Sequence, residues 1–243
     1  MKIAERFSLD ARMPSWIRFQ HLARYEWCRE LVAGKSVVDA ACGTGFGSRI
    51  IAEAGAAHVQ AFDLSEEAVE EASRRCGRLK QVRVQVGDVT KLPVADGSVD
   101  LYVCFETIEH VEHDKEVIAE AARILAPGGR CLCSSPNRKL TNPGTELTDR
   151  PFNPHHVREY SREEFAALFC GNFARVTILG QSMFPHRWQQ NLASISRINR
   201  MAAVRMHQVR KLIGSPFDRM QWHWPTEIPE DKEPEFLVAV AEK

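Results

Sequence analysis

The sequence predicts an α/β domain built on a mostly parallel sheet with helices on both faces. Three observations predict it. Short β-branched runs, nearly continuous in apolar character, alternate with helix-like stretches over the first two-thirds of the chain, as expected of strands covered on both sides. One such run leads into a glycine-rich loop and then a helix. Acids close three successive strands, which places them at the crevice where open α/β sheets bind ligands.

The elements follow in order. Residues 14–33 read as an amphipathic helix beginning after Pro14. The predicted strands are 36–40, 58–63, 82–86, 99–105 and 130–136, with helices over 47–54, 65–77 and 112–125 between them. Ser65 caps the second of these helices, and acids fill its first turn. Pro127 and Gly128 in LAPGG stop the third. A polar, Pro- and Asn-rich stretch over 136–160 follows, and loops of that length usually bind or cover something. Ser161 and Glu164 form a capping-box pattern at the head of a further helix. Strands are predicted at 174–180 and 235–243, separated by an insert over 183–233.

Composition narrows the function classes. The 243 residues suit one domain, 1–243, with a full core. The 32 basic and 32 acidic side chains cancel, which argues against a nucleic-acid partner held by bulk charge. No run approaches the roughly 18 apolar residues of a membrane span, so no transmembrane segment is expected. Charges throughout the first residues do not make a signal peptide, and a cytoplasmic location is expected. Seven cysteines at irregular spacing, most within apolar runs, read as reduced core thiols.

The glycine loop carries the ligand argument. Gly43, Gly45 and Gly47 expose bare backbone ahead of a helix N-terminus. Asp39 ends the strand before the loop and orients it. Asp63 ends the next strand, where a carboxylate accepts from a ribose diol, with Leu64 beside it. Asp88, followed by Val89, ends the third strand region, within reach of an adenine amino group. A dinucleotide fingerprint wants glycine where Ser48 stands, and the loop has no basic residue to meet a pyrophosphate. Acids all round suit a ligand with a cationic end.

These motifs resemble class I S-adenosylmethionine-dependent methyltransferases. VVDAACGTGFG resembles the first motif of that superfamily, FDLS its ribose-binding acidic turn, residues 87–111 its third and fourth motifs, and LAPGG the turn before its fifth strand. The resemblance implies a Rossmann-like seven-stranded sheet whose last strand lies antiparallel between the fifth strand and the one before the insert. It also implies S-adenosylmethionine as cofactor, held by Asp39, Gly43, Gly45, Asp63, Leu64, Asp88, Val89, Glu106 and Tyr25. Arg24 and Tyr25, on the helix before the sheet, are placed to cover the methionine end.

Methyl transfer from a sulfonium is an in-line displacement in which the protein mostly aligns donor and acceptor. A hydroxyl acceptor adds a need, because its proton must leave; a base or a cation meets it. Glu106, Glu109 and His110 fall at i, i+3 and i+4, one face of a helical turn. The E-x-x-E-H pattern, with His156 downstream, resembles metal-dependent O-methyltransferases of small-RNA 3′ ends and, in E-x-x-E-H alone, of the ubiquinone pathway. That likeness implies Mg²⁺ or Mn²⁺ on Glu106, Glu109, His110 and His156. The alternatives are a metal-free role, with His110 or His156 as general base beside Glu109, and simple packing.

The stretches 21–48 and 151–165 resemble bacterial methyltransferases of surface glycans, in which His155, His156, Arg158 and Tyr160 would border the acceptor pocket. That likeness implies a sugar-nucleotide, glycan or other small-molecule acceptor. RNA-terminal and phenolic acceptors are the rivals within the enzyme class, and a cofactor-binding regulator is the rival outside it. The insert carries Arg187, Arg197, Arg200, Arg205, Arg210, Lys211 and Arg219 against Asp218, with apolar residues at helical spacing. It reads as a basic amphipathic helix, serving as a lid, a homodimer contact or a phosphate dock, or simply packed on the domain.

Overall fold

A computed structural model describes residues 15–186 and 224–243, with side chains from residue 19 onward. The chain enters through helix α1 (Ser15–Val32) and strand β1 (Ser36–Ala40). Then come α2 (Phe46–Glu53), β2 (His58–Asp63), α3 (Glu66–Cys76), β3 (Val82–Val86) and β4 (Val99–Phe105). After a 3-10 turn at Ile108–His110 come α4 (Asp114–Ile124), β5 (Leu125–Pro136), α5 (Arg138–Thr141), α6 (Arg162–Leu168), β6 (Arg175–Pro185) and β7 (Lys232–Glu242). The seven strands form one sheet in the order β3-β2-β1-β4-β5-β7-β6. The first five run parallel, and β7 lies antiparallel between β5 and β6, as expected.

The alternation of side chains along each strand builds two cores. Val37, Leu101, Val103, Leu132 and Val238 pack on one face with Tyr25, Cys28 and Val32 of α1 and Ile51 of α2. Val38, Tyr102, Cys104, Cys131, Cys133 and Leu237 pack on the other with Ile118 and Ala121 of α4 and Phe165 of α6. Cys131 and Cys133 share that face. All seven cysteines are unbridged, and all but Cys170 are buried.

Local signals at helix starts hold. Ser65 accepts from the Ala68 N–H (3.3 Å), and Glu66 and Glu67 occupy the positive end of α3. At α6 both arms of the capping box form, Glu164 N–H to Ser161 Oγ (3.3 Å) and Ser161 N–H to Glu164 Oε2 (2.6 Å).

Three boundaries differ from expectation. LAPGG is the first part of β5 rather than a turn, because Leu125 pairs with Val99 and the glycine backbone pairs with Lys243 at the end of β7. The 136–160 stretch contains α5 and is pinned along its length. Asn137 donates to Glu233 (2.8 Å) and Arg138 clasps Glu164 (2.6 and 2.7 Å). Near its end, Arg158 and Tyr160 both bind Asp114 (2.5 and 2.9 Å). Finally, β6 runs to Pro185 and β7 starts at Lys232, so the excursion between them is shorter than 183–233. The basic stretch 187–219, and with it the lid, dimer and phosphate readings, lies outside the described residues.

Tyr102 is fully buried, and its hydroxyl has no hydrogen-bond partner among the described residues. Removing a buried unsatisfied hydroxyl relieves its desolvation cost. Tyr102→Phe is therefore expected to leave stability unchanged or raise it by about 1 kcal/mol, read as the midpoint of urea unfolding.

Candidate active site

The carboxyl ends of β1, β2 and β4 converge on one crevice. Asp39 is the penultimate residue of β1 and is completely buried. Its Oδ1 accepts from the Tyr25 hydroxyl (3.0 Å) and its Oδ2 from the Ser48 hydroxyl (2.6 Å). One carboxylate thus ties α1, β1 and α2 together around the glycine loop. Ser48, the residue that departs from a dinucleotide fingerprint, has this structural task. Burial pushes the Asp39 carboxyl up to about 6, against the pull of its two hydroxyl donors.

Two glycines are required sterically. Gly45 has φ +78°, and a Cβ there would stand 2.7 Å from that of Ala72. A Cβ on Gly47 would stand 2.2 Å from the Tyr25 ring, so the ring lies flush on the start of α2. The N-cap of α2 is Gly45, with no side-chain acceptor. This is the arrangement that receives a ligand at a helix N-terminus.

Asp63 spans the loop from the other side. Its Oδ2 accepts from Gly43 N–H (2.9 Å) and its Oδ1 from Ser65 N–H (3.0 Å). A carboxylate has about four acceptor sites, which leaves capacity for a ribose diol. Leu64 beside it is 73% exposed, an apolar surface on which a flat base can lie. Asp88 is exposed beyond β3 and braced by the Thr90 N–H (2.9 Å). The side chain of Val89 is buried in the core, so only its backbone could serve a ligand.

Arg24 is fully buried beside Tyr25. It donates to Gln181 Oε1 (2.6 Å), lies over the Phe236 ring, and holds Nη2 3.6 Å from Glu106 Oε1. Its Nε and Nη2 have no hydrogen-bond partner among the described residues. A buried guanidinium with donors to spare suits an anionic group such as a ligand carboxylate.

The E-x-x-E-H segment does not form one helical face. Glu106 sits in left-handed backbone (φ +52°) ahead of the 3-10 turn, held by Ser134, which accepts from its N–H (3.0 Å) and donates to its Oε1 (2.7 Å). Glu109, His110 and His156 come together instead, one ligand atom of each lying within 4.8 Å of the others. Glu106 falls outside this group because Ser134 and Arg24 engage it. Glu109 is buried, its Oε2 has no hydrogen-bond partner among the described residues, and burial with Glu106 nearby holds its carboxyl well above the usual range. Glu106 is raised as well, chiefly by burial.

The loop 153–160 brings His156 to the turn. Val157 N–H donates to the Glu109 carbonyl (2.7 Å), and His110 Nδ1 donates to the His155 carbonyl (3.0 Å), which leaves the His110 lone pair on Nε2. The His110 and His156 rings meet edge to face at 4.8 Å. Sequence reasoning missed Ser134, Asn153 and Glu159. Glu159 lies three residues after His156, a spacing that carries the signal.

The Asp39 shift has a consequence for stability. Its carboxyl is raised in the fold, so between 3.8 and about 6 the folded chain binds more protons than the unfolded one. Folding stability is expected to fall as pH rises through that window, by about 3 kcal/mol at most. Urea unfolding across pH, with Asp39→Asn as reference, checks it; the reference should lack the slope.

The comparisons with known proteins agree with this geometry. Residues 38–133 match the methyltransferase domain family. A probable S-adenosylmethionine-dependent methyltransferase of Mycolicibacterium smegmatis is 37% identical over 153 residues, which is 63% of this chain and 56% of that relative's length. A second, from Mycobacterium tuberculosis, is 30% identical over 217 residues, covering 89% of this chain and 72% of the relative. A ubiquinone biosynthesis O-methyltransferase of Xanthomonas oryzae pv. oryzae is 32% identical over 183 residues, 70% of this chain and 76% of the relative. A solved S-adenosylmethionine-dependent methyltransferase from Thermotoga maritima has a TM-score of 0.62 at 19% identity, covering 94% of this chain and 93% of its own, a likeness of fold. No helix of the described residues is long and apolar enough to cross a membrane. With the crevice, the strand order and these relatives in agreement, the chain belongs to the S-adenosylmethionine-dependent methyltransferases.

Proposed function

We propose that this enzyme transfers the cofactor's methyl group to a hydroxyl of a sugar or polyol-type small molecule or glycan, assisted by Mg²⁺ or Mn²⁺. The observation that carries the reading is the Glu109–His110–His156 cluster at the tip of β4, with a buried Glu109 oxygen that lacks a partner. A nitrogen or sulfur acceptor has less need of such equipment than a hydroxyl, whose proton is hard to remove near neutral pH. The name of the Xanthomonas relative, an O-methyltransferase, points the same way.

The chain's residues divide the work. Asp63, Leu64, Asp88 and the backbone of the glycine loop hold the nucleoside, Tyr25 closes the loop from α1, and Arg24 meets the methionine carboxylate. The bond between sulfur and methyl carbon breaks as the bond to the acceptor oxygen forms; the acceptor's proton passes to Nε2 of His110 or His156 where that nitrogen holds no ion, and to water where it does. The donor set, one carboxylate with an unpaired oxygen and two imidazoles, fits a divalent cation, Mn²⁺ more readily than Mg²⁺. Such an ion, held by Glu109, His110 and His156 with Glu106 behind them, would supply Lewis-acid polarisation of the hydroxyl.

The sugar preference rests on the resemblance of the stretches 21–48 and 151–165 to methyltransferases of surface glycans. The Xanthomonas relative favours a second reading, a phenolic hydroxyl.

Asp63→Ala is expected to weaken S-adenosylhomocysteine binding in titration calorimetry by about tenfold or more, since a hydrogen bond to a charged group contributes about 1.5–3 kcal/mol. Methylation assays with radiolabelled cofactor, over sugar nucleotides, free glycans and catechols, test the acceptor class. Label on sugars is the expected result; label on catechols alone selects the second reading. Exhaustive EDTA treatment should abolish turnover, with recovery on adding Mg²⁺ or Mn²⁺. Glu109→Gln should lower kcat by about 10²-fold, while full activity after chelation would remove the ion from the reading.

A further inference from the structure

His156 is held by two contacts that agree about where its proton sits. Nδ1 lies 2.5 Å from Glu159 Oε1, and Nε2 lies 2.9 Å from the amide nitrogen of Asn153. The orientation of that amide is fixed, because Asn153 Oδ1 accepts from the His155 N–H (3.1 Å). An amide nitrogen only donates, so Nε2 must be the accepting nitrogen and Nδ1 the protonated one. Glu159 is 2% exposed, with its other oxygen occupied: Oε2 accepts from the Asn142 amide (2.5 Å), and the Thr141 hydroxyl closes on the same atom. The Asn142 amide is oriented in turn, since its Oδ1 accepts from the Phe152 N–H (2.5 Å).

We infer that Glu159 is a positioning residue for the reaction: it fixes the His156 proton on Nδ1 and so keeps the lone pair on Nε2. A lone pair on Nε2 is what either role of His156 requires, acceptance of the acceptor's proton or ligation of a cation. A carboxylate behind an imidazole serves that purpose in general, holding tautomer and ring orientation together. The inference rests on the hydroxyl-transfer reading for its purpose, but its geometry stands on hydrogen bonds alone. Asn153 occupies the lone pair in this structure, and its amide N–H stands in for the O–H of an acceptor.

The surroundings of Glu159 predict a lost preference in one variant. In Glu159→Gln the side-chain oxygen must face the Asn142 donor, which turns the new NH₂ toward His156 Nδ1. A donor there removes the acceptor that holds the proton on Nδ1; with the Asn153 amide still facing Nε2, both ring nitrogens then face donors and the preference for Nδ1–H is lost. In Glu159→Asp an acceptor remains.

Two-dimensional ¹H–¹⁵N correlation spectra of histidine-labelled protein in mildly alkaline solution read this directly, with His156→Gln to assign the signals. The expected result is Nδ1–H in the wild type and in Glu159→Asp, and a mixture of Nδ1–H and Nε2–H in Glu159→Gln. Affinity for S-adenosylhomocysteine should stay within about twofold, because Glu159 touches none of the cofactor residues. A wild-type proton on Nε2 overturns the inference even if no variant folds, as does a tautomer population in Glu159→Gln unchanged from the wild type. On any acceptor that the wild type methylates, Glu159→Gln should lose about 10²-fold in kcat with the cofactor KM unchanged; an unchanged kcat despite a changed tautomer population also overturns it. The spectra need no acceptor, so a failed acceptor panel sinks the hydroxyl-transfer reading without touching this result, and the reverse holds.

Discussion

The buried carboxylate of Asp39 is the constraint on which the rest of the site depends. Cofactor binding needs a loop of bare backbone held open at the end of β1, and bare backbone has little side-chain packing of its own. Asp39 supplies the missing order by taking a hydroxyl from α1 (Tyr25) and another from α2 (Ser48). Burying it is unfavourable, as its upward shift to about 6 records. That cost is offset by fixing three elements with one group, and by the close seat of Tyr25 on Gly47. Asp63 completes the frame from β2 through Gly43 and Ser65. The loop is therefore organised before any ligand arrives, which lowers the ordering entropy that binding must overcome.

A second docking places the groups proposed for chemistry. The 153–160 loop reaches the turn after β4 through backbone bonds to Glu109, and Asp114 at the head of α4 fastens Arg158 and Tyr160. His156 and Glu109, far apart in sequence, are thereby made neighbours. Backbone strain sits at the same place. Glu106 adopts left-handed φ at the end of β4, and the Ser134 hydroxyl, bonded both to its N–H and to its carboxylate, holds it there.

Much of this was legible in the sequence, and the reasons differ by element. The parallel strands announced themselves because burial on both faces leaves near-continuous apolar runs, and the bounds of 36–40, 58–63, 82–86 and 99–105 recur unchanged in the structure. Capping residues fixed the starts of α3 and α6. LAPGG misled because Pro and Gly mark a local turn, whereas its place in the sheet is decided by pairing with Lys243, over a hundred residues away. Glu106 misled for a similar reason. The i, i+3, i+4 rule assumes a continuous helix, and the helical turn begins only at Ile108. Glu159 lay in plain view three residues from His156, but the meaning of that spacing depends on the Asn142 amide that orients it.

Charge movement links the two halves of the crevice. S-adenosylmethionine brings a positive sulfonium, and after methyl transfer the sulfur is a neutral thioether. On the proposed reaction, where no ion is held, the acceptor's proton then resides on an imidazole, so the positive charge passes from one end of β1 to the tip of β4 rather than leaving the site. Glu106, Glu109 and Glu159 lie near that destination, and burial raises the carboxyls of the first two, which favours their neutral form until a positive charge arrives. Carboxylates that would be unfavourable in an empty crevice become favourable when it carries a cation, first on sulfur and then on nitrogen or metal. On the proposed reaction the same acids therefore serve attraction of the donor and stabilisation of the transferred charge.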